Sequence, residues 1–173
     1  IGIPAMGEEE RESIRAVAAA GLGRARLMVW CRMRADDLQE AATCGVSFVN
    51  MSMPVSDIHI QRKLGRDRAW ALDQIDRQIR TARDLGLEVG FGGEDSSRAD
   101  PDFMARVAET AQAAGARRYR FADTLGVLDP FQTYGFIQAL RARTDLEIEI
   151  HAHDDLGLAT ANSLAAVRGG ATQ

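Results

Sequence analysis

One feature narrows the possible folds more than any other. Short runs of β-forming residues alternate with a polar cluster, an amphipathic stretch, and a glycine before the next run. The runs are Leu27–Cys31, Val46–Met51, Leu87–Phe91, Arg118–Phe121 and Leu146–Ile150, and Ile1–Ile3 reads as the tail of a sixth. Between them, Glu8–Ala20, Asp36–Thr43, Arg66–Leu85, Pro101–Ala114, Phe131–Arg143 and Leu156–Arg168 are rich in Ala, Leu, Glu, Gln and Arg, all good helix formers. Gly21, Gly45, Gly86, Gly115 and Gly169 stand where those helices would end, since glycine enters the left-handed region without a Cβ penalty. Asp100-Pro101 gives the matching signal at a helix start, an N-cap followed by proline in the first turn. Strands separated by helices pair in parallel, and a parallel sheet needs helices over its faces.

Two folds satisfy that pattern, a (β/α)8 barrel and an open doubly wound sheet. In both, chemistry gathers beyond the C-terminal strand ends. Those positions hold Arg32; Ser52, Ser56, Asp57 and His59; Glu94, Asp95, Ser96 and Arg98; Asp123 and Thr124; and His151, His153, Asp154 and Asp155. A doubly wound nucleotide site concentrates in one glycine-rich turn, yet no G-x-G-x-x-G or G-x-x-x-x-G-K-[ST] follows any strand. Several strands each delivering a different functional group is the pattern of a barrel mouth. A complete (β/α)8 barrel takes about 250 residues, with roughly 200 as a lower bound. The expectation is therefore one partial barrel domain over residues 1–173, lacking the first and last strands. The missing initiator Met and the glycine pair near the C-terminus are read the same way, as marks of a fragment.

Composition excludes several other classes. With 46% hydrophobic and 27% charged residues the chain can bury a sizeable core, so disorder is not expected. The net charge of −4, with scattered arginines, offers no electrostatic basis for binding nucleic acid or an anionic membrane. No apolar run approaches the roughly 18 residues that span a bilayer, and Ile1-Gly2-Ile3-Pro4 is no signal peptide, so a soluble cytoplasmic protein is expected. Cys31 and Cys44 form no C-x-x-C pair and are read as buried thiols of a reducing compartment.

His151-Ala152-His153-Asp154-Asp155 is the sharpest local motif. Side chains at i and i+2 share a strand face, so both imidazoles can converge on one ion if that face is the barrel interior. Two histidines and a carboxylate with open positions suit zinc or another divalent ion. The alternative is one packed, hydrogen-bonding histidine and one solvent tip; the strand-end position favours ligands. Glu94 and Asp95 follow the slim Gly90, Gly92 and Gly93, and a carboxylate there can move a proton. It can equally be an ion-pairing acid with Arg98 four residues on. Thr124 is able to hydrogen-bond a substrate carboxylate and Asp123 to orient its neighbours, or both form a turn before the next helix. Ser56-Asp57-Ile58-His59 with Arg62 and Lys63 reads either as an anion-binding loop or as a helix cap with solvated charges.

Taken together these segments resemble a known family. His151 through Val167, with Phe121-Ala122-Asp123-Thr124-Leu125-Gly126, Glu94-Asp95-Ser96-Ser97-Arg98, and Ser56 through His59 with Lys63-Leu64, resembles the isopropylmalate and homocitrate synthase family. These are metal-dependent Claisen-condensing enzymes on a TIM barrel. Within it, Ile1 through Glu10 and Glu94 through Asp100 are most similar to the homocitrate synthases of nitrogen-fixing bacteria, which join acetyl-CoA to 2-oxoglutarate to supply the nitrogenase cofactor. The resemblance implies that His151 and His153 hold a divalent ion (Zn, Mn or Mg), that Thr124 and His59 bind the 2-oxo acid, and that Glu94 assists the proton chemistry. It also implies a homodimer of the full-length protein.

The departures carry expectations too. Nothing here matches the family's D-x-T-L-R-D-G-E-Q first-strand motif, which supplies a carboxylate ligand and an arginine, nor its N-G-x-G-E-R-A-G-N segment. Two ligands would remain, so residues 1–173 alone are expected to be inactive. Isopropylmalate or citramalate synthesis, a hydroxyacyl-CoA lyase of the same fold, and a catalytically silent barrel piece are the competing readings.

Overall fold

The computed structural model describes residues 1–173. Its five strands are β1 (Met28–Arg32), β2 (Phe48–Pro54), β3 (Glu88–Glu94), β4 (Arg118–Asp123) and β5 (Glu147–Ala152). Its helices are α1 (Glu8–Ala19), α2 (Ala35–Ala42), α3 (Asp57–Arg62), α4 (Arg68–Asp84), α5 (Pro101–Ala114), α6 (Pro130–Arg141) and α7 (Ala159–Gly169). All five strands pair in parallel in the order β1-β2-β3-β4-β5. That order separates the two candidate folds. Parallel crossovers are right-handed, so strands added always in one direction receive their helices on one face, whereas a doubly wound sheet must reverse direction. The sheet is an arc of a barrel wall.

Its two faces differ as that geometry requires. Toward the helices point Val29, Cys31, Val49, Met51, Val89, Phe91, Tyr119, Phe121 and Ile148, none more than 1% exposed. They form one core with Leu38 of α2, Ile75 and Ile79 of α4, Phe103 and Val107 of α5, and Ile137 and Leu140 of α6. Burial pushes the Cys31 thiol up to about 12, so it is an inert core side chain. The alternate residues line the inner face: Trp30, Asn50, Ser52, Gly90, Gly92, Arg118, Arg120, Glu147, Glu149 and His151. This face is polar. No helix is long and apolar enough to cross a membrane.

Several local expectations need adjustment. Ile1–Ile3 is not a strand, although Gly2 O accepts from Trp30 N at 2.9 Å and the Ile1 amino group reaches Met28 O at 2.5 Å. At the opposite edge Thr172 N donates to Ile148 O at 2.8 Å, so extended residues cover both exposed ladders. For Ser56–His59 the structure shows the helix cap, the commoner of the two readings: Ser56 Oγ caps α3 by accepting from His59 N at 3.3 Å. Gly169 lies inside α7 while Gly170 takes the left-handed cap (φ 114°). The reason is contact: a Cβ on Gly169 would stand 2.9 Å from Tyr134 O of α6.

Candidate active site

Three strand ends and the inner face meet in a cavity of about 150 Å³ lined by Trp30, Ser52, Gly92, Glu94, Arg120, Ala122, Thr124, His151 and His153. Four of the five residues singled out from the sequence, Glu94, Thr124, His151 and His153, therefore share one space. The register explains it. Pro54 aligns with Glu94 and Ala122 with His151, so the ends of β3, β4 and β5 rise to similar heights around the mouth.

His151 Nε2 and His153 Nε2 lie 3.2 Å apart, with the rings edge-to-face at 73°. Two nitrogens bound to one ion at roughly 2.0–2.1 Å stand about 2.9 Å apart at a right angle and about 3.3 Å apart at the tetrahedral angle. The pair fits a divalent ion in donor type and bite. No third His, Cys, Asp or Glu joins them, so two side chains of this chain would hold the ion and leave its other positions open. Asp154 Oδ1 instead accepts from Ala159 N at 2.9 Å at the start of α7. Asp155 Oδ2 lies 3.9 Å from His153 Nδ1, on the far side of that ring. The carboxylate expected to complete the set is thus occupied elsewhere.

Burial, then the neighbouring Arg120 and His153, hold the His151 pKa below the ordinary histidine value, which favours the neutral imidazole that a metal needs. Arg120 Nη2 stands 2.5 Å from His151 Nδ1, and a guanidinium has only donors, so Nδ1 is the acceptor in this arrangement. A ligand nitrogen at Nε2 would move the ring proton to Nδ1 and turn Arg120 away.

Glu94 pairs with Lys63 (Oε2 to Nζ, 2.9 Å), not with Arg98 as its sequence spacing indicated. Arg98 forks onto Asp95 at 2.6 and 2.8 Å, and Ser56 Oγ donates to Asp95 Oδ2 at 2.5 Å. Asp95 is fully buried, and at φ 60° it is the one non-glycine residue in the left-handed region. That turn at the end of β3 sends the Asp95 N–H to Thr124 Oγ1 at 2.8 Å and leaves the Thr124 hydroxyl proton free to donate into the cavity. Desolvation would raise the Asp95 pKa, but the Arg98 and Ser56 hydrogen bonds and the neighbouring His59 and Arg98 outweigh it and hold it low. His59 lines no part of the cavity. Its place on α3 packs Nδ1 3.6 Å from Asp95 Oδ2 and Nε2 3.3 Å from Arg98. Asp123 forms the turn, accepting from Val127 N and Leu128 N at 3.2 and 3.1 Å.

A second groove of about 490 Å³ adjoins the first and shares Trp30, Ser52 and Glu94 with it. Met33, Met53, Leu64 and Trp70 give it an apolar wall, and Arg32, Arg34 and Lys63, paired with Asp37, Asp36 and Glu94, line the other side. Glu94 stands at the seam.

The HMGL-like family model matches residues 1–173, the full length of the chain. The chain belongs to the HMGL-like family. As an HMGL-like domain it is 46% identical over 171 residues to 2-isopropylmalate synthase 2 of Caldanaerobacter subterraneus subsp. tengcongensis, covering 99% of this chain and 44% of that protein. It is 45% identical over 172 residues to homocitrate synthase 1 of Nostoc sp., covering 99% of this chain and 45% of that protein. The chain thus spans about half the length of the curated relatives it matches. The HMG-CoA lyase of Bacillus subtilis superposes with a TM-score of 0.79 at 20% identity over 94% of this chain and 57% of that one, which shows the shared barrel fold. The five strands are therefore part of a TIM barrel, as the alternation of elements led us to expect.

Two contributors escaped the sequence reading. Arg120 and Asn50 lie within strands, not beyond them, so inspection of strand ends passes them by. The signal was the period-two polar pattern Arg118, Arg120 and Glu147, Glu149, which marks a polar inner face.

Proposed function

We propose that the protein carrying these residues catalyses the condensation of acetyl-CoA with a 2-oxo acid, homocitrate from 2-oxoglutarate and acetyl-CoA being the leading reaction. One observation carries this reading: Glu94 stands at the seam of a polar cavity bearing two convergent imidazoles and a larger groove with an apolar wall and two arginines, Arg32 and Arg34, at its edge. The polar cavity suits a 2-oxo acid. The groove suits an acyl-CoA thioester, whose pantetheine arm mixes apolar methylenes and methyls with amides and whose phosphates are anionic.

In this scheme Thr124 donates its hydroxyl proton to the 2-oxo acid carboxylate, while the Asp95 N–H fixes the oxygen from behind. Glu94 takes a proton from the thioester methyl, its carboxylate held at the seam by Lys63. The resulting enolate forms the new carbon–carbon bond to the ketone carbon as the carbonyl π bond breaks, the oxygen takes up the proton that Glu94 removed and ends as a tertiary hydroxyl, and water breaks the thioester C–S bond to give the carboxylate and free CoA thiol. His151 and His153 would hold a divalent ion, which when bound supplies Lewis-acid polarisation of the ketone.

The test is release of free CoA by the complete gene product from acetyl-CoA with 2-oxoglutarate, 2-oxoisovalerate or pyruvate, in Mn2+ or Zn2+. Turnover is expected, and Glu94→Gln should lower it by about 10²-fold or more. No CoA release with any acid, or cleavage of a hydroxyacyl-CoA without condensation, would overturn the reading.

A further inference from the structure

The condensation scheme leaves the floor of the polar cavity unused, and that floor has a specific chemistry. Arg120 Nε stands 3.0 Å from Glu149 Oε1 but is buried without an aligned hydrogen bond. The other oxygen of Glu149 is taken by Arg118 Nη1 at 3.0 Å. One carboxylate is thus shared by two guanidiniums, and the planar donor fork of Arg120 is only partly used. Asn50, fully buried, donates from Nδ2 to Ser52 Oγ at 3.1 Å, so the Ser52 hydroxyl has its own proton available to the cavity. Asn50 Oδ1 has no partner at all. Ser52, Gly92 and Arg120 are aligned across β2, β3 and β4. A Cβ on Gly92 would lie 2.2 Å from Ser52 Oγ, so only glycine leaves serine and arginine facing the same space.

A donor fork with a hydroxyl beside it is complementary to a carboxylate. A branched apolar tail in that space would desolvate the guanidinium and the Ser52 hydroxyl, both of which line the cavity, and return no hydrogen bonds, which a site of this kind rejects strongly. An anionic tail would use them. We propose that Arg120, with Ser52, binds the distal carboxylate of a 2-oxo dicarboxylic acid and so sets the substrate class as a diacid of the 2-oxoglutarate kind. The inference rests on the condensation reading above. Arg120 acts on the tail and not on the reacting atoms, so it determines specificity.

The experiment compares wild-type, Arg120→Met and Arg120→Lys forms of the complete gene product, measuring CoA release with 2-oxoglutarate, 2-oxoisovalerate and pyruvate, and acid binding by calorimetric titration. The wild type should prefer 2-oxoglutarate. Arg120→Met should lose at least ~100-fold in kcat/KM for 2-oxoglutarate, chiefly through KM, with the same loss of affinity by calorimetry. Its loss on pyruvate, which has no tail, should be at least about tenfold smaller than its loss on 2-oxoglutarate. Arg120→Lys keeps the charge beside Glu149, so it should fold like the wild type and fall between the two. A wild type that prefers 2-oxoisovalerate, or an equal loss on all three acids in both variants, overturns the proposal while leaving the condensation reading intact. No CoA release by the wild type with any acid removes the condensation reading, and this proposal with it.

Discussion

Asp95 makes a sharp test of how the mouth is built, because its charge and its backbone conformation can be separated. The side chain is fully buried, accepts from Ser56 Oγ, and receives two nitrogens of Arg98. In Asp95→Ala the buried Ser56 hydroxyl loses its acceptor, at a cost of about 1–3 kcal/mol. The Arg98 fork is also lost, but its side chain is 34% exposed and recovers water, so that term is discounted to about 1 kcal/mol. Alanine at φ 60° adds roughly 1 kcal/mol that aspartate and asparagine largely avoid. The total is about 3–5 kcal/mol. Asp95→Asn keeps the left-handed tolerance and one acceptor, and should cost about 1–2 kcal/mol.

Urea denaturation of the 173-residue chain, followed by tryptophan fluorescence, reads the difference. With a slope of about 2 kcal/mol/M, the alanine midpoint should fall by roughly 1.5–2.5 M and the asparagine midpoint by under about 1 M. The folded Asp95 pKa is held low, so as pH falls below the ordinary aspartate value of about 3.9 the unfolded chain takes up a proton that the folded one refuses. The wild-type advantage over Asp95→Asn should therefore be complete at pH 7 and shrink as pH falls from about 4 toward the lower folded value. Equal midpoints for the two variants at pH 7, or a gap that widens in acid, would refute the account of this turn.

Two further outcomes follow from the geometry. Zinc at about 100 times its Kd should stabilise the wild-type chain by about 2.7 kcal/mol in a thermal melt, and His153→Ala should abolish that gain; an equal gain in the variant would place the ion elsewhere. Gly169→Ala should gain up to about 1 kcal/mol of helix propensity yet be destabilised overall by about 1–2 kcal/mol, because its Cβ would press on Tyr134 O at 2.9 Å and Ile137 Cβ at 3.1 Å; a raised melting temperature would show that α6 and α7 can separate freely.

The alternation of elements was legible because glycine, proline and the capping aspartates act locally. Pro101–Ala114 matches α5 at both ends, with Asp100 accepting from Phe103 N at 2.8 Å. Strands were drawn too short at their C-terminal ends. Ser52, Gly92, Gly93 and Glu94 look like loop residues by composition, yet the parallel ladder carries β2 through Pro54 and β3 through Glu94. The α3 helix was hidden for the opposite reason. Its six residues are too few for an apolar period to show, and although Ser56 reads first as a helix cap, the length of the helix behind it is not readable.

The site was legible where side chains cluster beyond strand ends, and illegible where they depend on pairing between distant segments. That Glu94 takes Lys63 and Asp95 takes Arg98 follows from the left-handed turn at Asp95, which points successive residues to opposite sides of the mouth. Spacing along the chain carries no trace of it. Arg120 illustrates the same limit more strongly. Read alone, an arginine inside a strand suggests an exposed edge; only the ladder from Ser52 through Gly92 to Arg120 and Glu149 turns it inward beneath the two imidazoles. A barrel interior filled with paired charges is costly to desolvate, and apolar layers would pack it more cheaply. Retaining Arg118, Arg120, Glu147 and Glu149 on that face makes physical sense if one of those charges has a partner that the fold itself does not supply, and Arg120, with its unaligned Nε under the cavity, is the one left to take it.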